Sequence, residues 1–119
     1  MGAIRTGNSL QYPNAGSAIA KSDVVVMGNC IGIAEQDIAA TVGVGSVALE
    51  GVFSVPKVSA AVIAVGETLI YDVSAGEFND NQATAAAGDV TAGVIAVEAG
   101  ISTQTSIEVK LTPGAGTVT

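Results

Sequence analysis

Few residues in this 119-residue chain are able to do chemistry. There is no His and a single Cys, Cys30. Ser-His-Asp triads, Cys-His dyads and imidazole-based zinc sites are therefore excluded, and no disulfide can close within the chain. A hydrolase built from what is left would need converging carboxylates or a nucleophile activated by Lys. Asp23, Asp37, Asp72 and Asp89 are the carboxylates to consider, and they fall at strand starts, strand ends or turns. Acids at such places ordinarily shape turns and protect sheet edges. Asn79-Asp80-Asn81 clusters oxygens of the kind calcium accepts, without the following Gly and distal Glu of a calcium loop. Cys30 lies between a turn and an apolar run with no base beside it, and reads as a small core residue. No catalytic residue, metal ligand or cofactor is expected, and the chain reads as a non-enzyme.

Two short motifs carry less than their patterns suggest. Gly43-Val44-Gly45-Ser46-Val47-Ala48 fits the glycine fingerprint of dinucleotide-binding folds. That site needs a helix N-terminus after the glycines to hold the pyrophosphate, whereas these glycines lead into an alternating, strand-like stretch. A Gly-rich turn explains them. Met1-Gly2-Ala3-Ile4-Arg5-Thr6 fits the myristoylation pattern, which matters only in a cell with the acyltransferase.

The charge balance excludes further partners. Eleven acids against four bases give a net charge of −7, and only 13% of residues are charged. The bases, Arg5, Lys21, Lys57 and Lys110, are scattered along the chain. Phosphate neutralisation needs clustered Lys and Arg, so neither nucleic acid nor an anionic membrane is an expected partner. No apolar run approaches the ~20 residues of a spanning helix.

The elements that would position any site are strands. Residues 1–20 have turn and loop composition with isolated Ile4, Leu10 and Ile19, and read as an extended N-terminal arm, free or laid across another surface. From Asp23 the apolar period is two. Val24–Met27 and Cys30–Ala34 flank a Gly28-Asn29 turn. Ser46–Val55 reads as one half-buried strand with Val47, Leu49, Phe53 and Val55 on its inner face. Pro56 stops that strand. Thr68–Val73 and Ser106–Leu111 alternate, Val90–Val97 is apolar on both faces and hence central, and residues 74–88 read as a loop. Residues 21–112 are thus predicted to form an all-β domain, a small antiparallel β-sandwich or barrel, with a flexible tail at 113–119. Ser22-Asp23-Val24, Gly66-Glu67-Thr68 and Gly88-Asp89-Val90 echo one another, but their flanks differ. A turn followed by a strand explains the echo without a repeat. Apolar strand surface beyond what so small a core requires points to burial between subunits or on a larger assembly.

The central segment resembles a known family. Asp23-Val24-Val25-Val26, Ile31-Gly32-Ile33-Ala34 with Asp37-Ile38-Ala39, Gly45-Ser46-Val47, Glu50-Gly51-Val52-Phe53-Ser54-Val55-Pro56-Lys57 and Gly66-Glu67-Thr68-Leu69-Ile70-Tyr71-Asp72 follow its pattern in order. Together they resemble the tailed-phage capsid cement or decoration proteins over roughly residues 20–111. Ser22 stands where that family usually has Gly, and Val73 follows Tyr71-Asp72 where a Trp is often found. The resemblance implies a non-enzymatic structural virion protein on the outside of an expanded phage capsid, assembled in the host cytoplasm. It further implies that the major capsid protein is the partner, that neighbouring capsid subunits are bridged, and that the protein is a homo-oligomer, a trimer before a dimer. Ile4, Arg5, Leu10, Tyr12 and Pro13, in the arm, are the expected capsid contacts. The other reading is a head fibre or carbohydrate-binding appendage, for which Tyr12, Phe53, Tyr71 and Phe78 are the available aromatics.

Overall fold

The computed structural model describes residues 8–119, and these contain ten strands and no helix. Four form one antiparallel sheet: β1 (Ser9–Pro13), β2 (Val24–Met27), β3 (Cys30–Ala34) and β4 (Val44–Ala48), in the order β1-β4-β3-β2. The second sheet holds β5 (Val52–Pro56), β6 (Thr68–Asp72), β7 (Glu77–Asn79), β8 (Val90–Ala96) and β9 (Ser106–Leu111), in the order β5-β9-β8-β6-β7. A short β10 (Thr117–Val118) pairs with the first residues of β8. The all-β antiparallel architecture is as the alternation predicts.

The two sheets are one design used twice. In the first, Pro13 faces Val44 and Leu10 faces Val47; in the second, Pro56 faces Ser106 and Phe53 faces Val109. Ala34 faces Val47 as Ala96 faces Val109, and Val24 faces Ile33 as Thr68 faces Ile95. The loops match as closely. An Ile19–Ile38 bridge corresponds to Ile63–Gly100. The Ser22 N–H donates to the Ala34 carbonyl at 2.8 Å, and the Gly66 N–H to the Ala96 carbonyl at 2.7 Å. Thr41 and Thr103, both with left-handed φ (67° and 81°), donate to Gly16 and Ser59. Residues 8–48 and 51–111 are therefore two copies of a four-stranded unit. The echo at Ser22-Asp23-Val24 and Gly66-Glu67-Thr68 marks equivalent places in them. In both, the acid's side chain accepts the N–H of the Ala that opens the turn, Ala20 or Ala64. Gly88-Asp89 makes the same turn with Ala86 but has no counterpart in the first unit. The reading of the echo as turns without a repeat is thus corrected at its first two places.

Four further expectations change. Ser46–Val55 is two strands in different sheets, because Glu50-Gly51 turns the chain, Gly51 with φ 120°. Residues 74–88 contain β7, which pairs with β6 and stacks Phe78 on Tyr71 with ring centroids 4.8 Å apart. Within the expected arm, Ser9–Pro13 pair with β4 as the edge of the first sheet, so this stretch lies across the domain itself. In the C-terminal stretch, Val118 faces Val90, and the Thr119 N–H donates to the Asp89 carbonyl. That strand fits because β9 pairs only with Val94–Ala96, leaving the start of β8 free on that side. Pro56 ends β5, an edge strand, where its missing N–H costs no ladder bond.

The main core lies on the second sheet, with Val55, Leu69, Phe78, Val94, Ile107 and Val109 fully or almost fully buried. Ile31 and Ile33 of β3 complete it from the first sheet. Gly93 permits that approach, because a Cβ there would lie 2.8 Å from Ile31 Cδ1. The opposite face of the first sheet carries a smaller cluster of Val25, Ala34, Ile38 and Val47. Its counterparts in the second unit, Leu69, Ala96, Gly100 and Val109, surround the equivalent space there.

Candidate functional site

The carboxylates serve turns. Asp23 and Asp37 both border a cleft of about 560 Å³, but Asp23 accepts the Ala20 N–H and Asp37 the Lys21 N–H. Asp89, buried, accepts the N–H groups of Val73 and Ala86. Asp72 accepts the Ser74 hydroxyl and the N–H groups of Ser74 and Ala75, which hold its carboxyl below the ordinary range. The oxygens of Asn79 and Asp80 accept N–H groups of Asp80 and Gln82 in their own turn. Among the described residues no three His, Cys, Asp or Glu side chains gather as metal ligands. Tyr71, beside a cleft of about 280 Å³ lined by Ser22, Asp23 and Pro56, has its hydroxyl pushed upward by burial, then by Asp23 and Asp72.

Among the described residues the one charged side chain that is fully buried is a base, a fact not visible in the sequence. Lys57 leaves the end of β5 and runs under the loops 58–66 and 97–105. Its Nζ lies 2.8 Å from the Val58 carbonyl, 3.0 Å from Ile101, 3.2 Å from Gln104 and 3.3 Å from Ser59. An ammonium has three N–H donors and no acceptor, so a cage of carbonyls suits it without a counter-ion. Three of these carbonyls also accept a backbone N–H, Val58 from Ala61, Ser59 from Thr103 and Ile101 from Gln104, so the ammonium takes up their remaining lone pairs and supplies the donor for Gln104. Lys57 thereby ties two loops into one rigid tip. The sequence signal that could have revealed it is the pairing of Pro56-Lys57 with Pro13-Asn14 once the repeat is seen.

The surface, rather than any cleft, stands out. Val42 is 87% exposed and Val44 59%, and Val44 faces Pro13 across the β1–β4 ladder. Pro13, Val42 and Val44 share the wall of a shallow groove. Their counterparts in the second unit are Pro56, Gln104 and Ser106, so this apolar face belongs to the first unit alone. Of the residues expected in contact with a partner, Pro13 lies on this face. Leu10 and Tyr12 are half-buried against the smaller core cluster. Ile4 and Arg5 lie outside the described residues. Val42 and Val44 were missed, because a valine next to a glycine reads as part of a turn.

A family profile described as phage cement protein matches residues 4–111. The searches of curated proteins and of solved structures each returned no match.

Proposed function

Because the chain belongs to the phage cement protein family, a structural and capsid-associated class, we propose that it coats the outside of an expanded phage head and bridges neighbouring major-capsid subunits. The observation that carries this reading is the exposed aliphatic face of Pro13, Val42 and Val44, at the end of the N-terminal strand. Large aliphatic side chains grouped on a surface mark a protein contact more than a small-molecule site. Ile4, Arg5, Leu10, Tyr12 and Pro13 form the capsid-contacting segment in this proposal, with Leu10 and Tyr12 anchoring it to the domain. The protein acts without cofactor as a homo-oligomer, a trimer before a dimer. Its net charge of −7 suits an exterior position away from the packaged genome. Many copies, each with modest contacts, would add up to large stabilisation of the shell.

Co-sedimentation with expanded heads and with unexpanded procapsids tests the proposal. Saturable binding to expanded heads alone is the expected result. Equal binding to both, or to neither, would overturn it.

A further inference from the structure

The repeat supplies an internal control for the tip that Lys57 supports. The Ile63–Gly100 bridge places Val62 opposite Ile101, and both side chains stand outward, 66% and 63% exposed. Val65, in the adjoining turn, is 66% exposed, and Ala64 and Ala99 are exposed between them. At the same backbone places the first unit carries Ala18, Lys21 and Ala39. The fold therefore accepts small or charged residues there, and solvent alone gives no reason for two valines and an isoleucine.

We infer that Val62, Val65 and Ile101 form a second docking surface, directed at a capsid subunit other than the one met by Pro13, Val42 and Val44. This rests on the capsid-binding proposal and deepens it, since bridging requires two separate faces on one chain. The acids decide the occupant. Glu67 and Glu98 flank the two loops, and Asp80 shares a cleft with Ala60 at their base. Among the described residues, the base in contact with these loops is Lys57, buried beneath with its ammonium caged by carbonyls. A second copy of this acidic chain would bring carboxylates against carboxylates, which disfavours self-association at this face. The fitting partner presents an apolar recess bordered by Lys, Arg or free N–H donors. The carbonyl cage under the tip keeps its loops fixed before binding, which lowers the ordering cost of association.

The test transplants the first unit's residues, as V62A/V65K/I101A, into the full chain. A second variant, V52S/V118S, changes exposed valines elsewhere (53% and 46% exposed) as a control. Binding to expanded heads, solution mass and thermal melting are measured for both and for the unaltered chain. The expected result is a loss of head affinity of about tenfold or more in the triple variant, with mass and melting unchanged and the control binding normally. Failure of the unaltered chain to bind heads would remove the capsid reading, and this surface with it. Normal head binding by the triple variant would overturn the docking surface while leaving that reading intact. A reduced solution mass would show the surface to be a contact between copies, which also overturns it.

Discussion

Asn14 and Lys57 occupy one position of the repeated fold in two chemical versions. The Asn14 Nδ2 donates to the carbonyls of Ser17 and Ala39, and the Lys57 Nζ to four carbonyls that include Ile101, the counterpart of Ala39. Both side chains are buried, and both pin the loop after an edge strand to a loop from across the sheet. Two neighbouring positions adjust to the difference in length. Beside the short Asn14, Ile38 fills space that Gly45 leaves open; beside the long Lys57, Gly100 leaves room and Ile107 fills the rest. A Cβ on Gly100 would lie 2.9 Å from Lys57 Cε, and one on Gly45 would lie 2.5 Å from Ile38 Cγ1.

Lys57→Met should therefore destabilise the chain by about 2–3 kcal/mol, because the charge-assisted bonds that tie the two loops are lost and the Gln104 carbonyl loses its donor, while little volume changes. For a domain of this size that lowers the melting temperature by roughly 10 °C. Gly100→Ala alone should destabilise through its contact with the lysine stem. Combined with Lys57→Asn, its cost should shrink. A double-mutant cycle with zero coupling would contradict the volume exchange described above.

Ser22→Gly is expected to stabilise. Ser22 has φ 76°, a left-handed conformation strained for any side chain, and its counterpart in the second unit is Gly66 at φ 85°. Relief of roughly 1 kcal/mol is expected, part of it offset by the freedom Gly gains when unfolded. Thermal melting should move upward by a few degrees; a downward move would mean that the serine side chain does more than its backbone strain costs.

Stability should be flat through neutral pH and fall at both ends. The Tyr71 hydroxyl is raised above 10.0 by burial and by Asp23 and Asp72, so the unfolded chain loses this proton first. Its contribution is complete below pH 10.0 and drains away as pH climbs through the folded value. Asp72 is held below 3.8 by the Ser74 hydroxyl and the Ala75 N–H, so its contribution is present above that pH and is lost on acidification. With no His, nothing of that type titrates between. Melting curves across pH test this, with Tyr71→Phe expected to soften the alkaline fall. A pronounced step near neutrality would contradict it.

V42Q/V44S, which copies Gln104 and Ser106 from the second unit, should change stability by no more than about 0.5 kcal/mol, as is usual for exposed positions. Head binding should weaken about tenfold if these valines meet the shell. Unchanged affinity would move the first contact away from the Pro13 face.

Much of the architecture was readable from alternation. Ile107, Val109 and Leu111 are buried, with exposed neighbours between them, and β8 is central as its two apolar faces required. The repeat was hidden because its spacing is uneven. Pro13 to Pro56 is one offset, Asp23 to Glu67 another, and Ala34 to Ala96 a much longer one. No single period reveals such a pattern, and side-chain exchange at Asn14/Lys57 and Ile38/Gly100 removes residue identity where geometry is most alike. The split of Ser46–Val55 was hidden for a different reason. Val47 and Val55 are each buried, in different clusters, so one alternation runs through a turn between two cores. A buried lysine cannot be told from an exposed one by type, so Lys57 became visible only through its four carbonyls. The contact surface was half legible: Pro13 was readable as part of an N-terminal segment, whereas Val42 and Val62 gain meaning only from their opposite numbers.

The uneven spacing also marks where the chain can be lengthened. Between β2 and β3 the connection is Gly28-Asn29; between β6 and β8, at the same joint, it is the whole of residues 73–89 with β7 inside. The surroundings of Gly28 are open, with no atom within 4 Å of a built Cβ. A peptide grafted at that turn would repeat in the first sheet an extension that the second already carries, giving the protein a natural port for displaying foreign sequence.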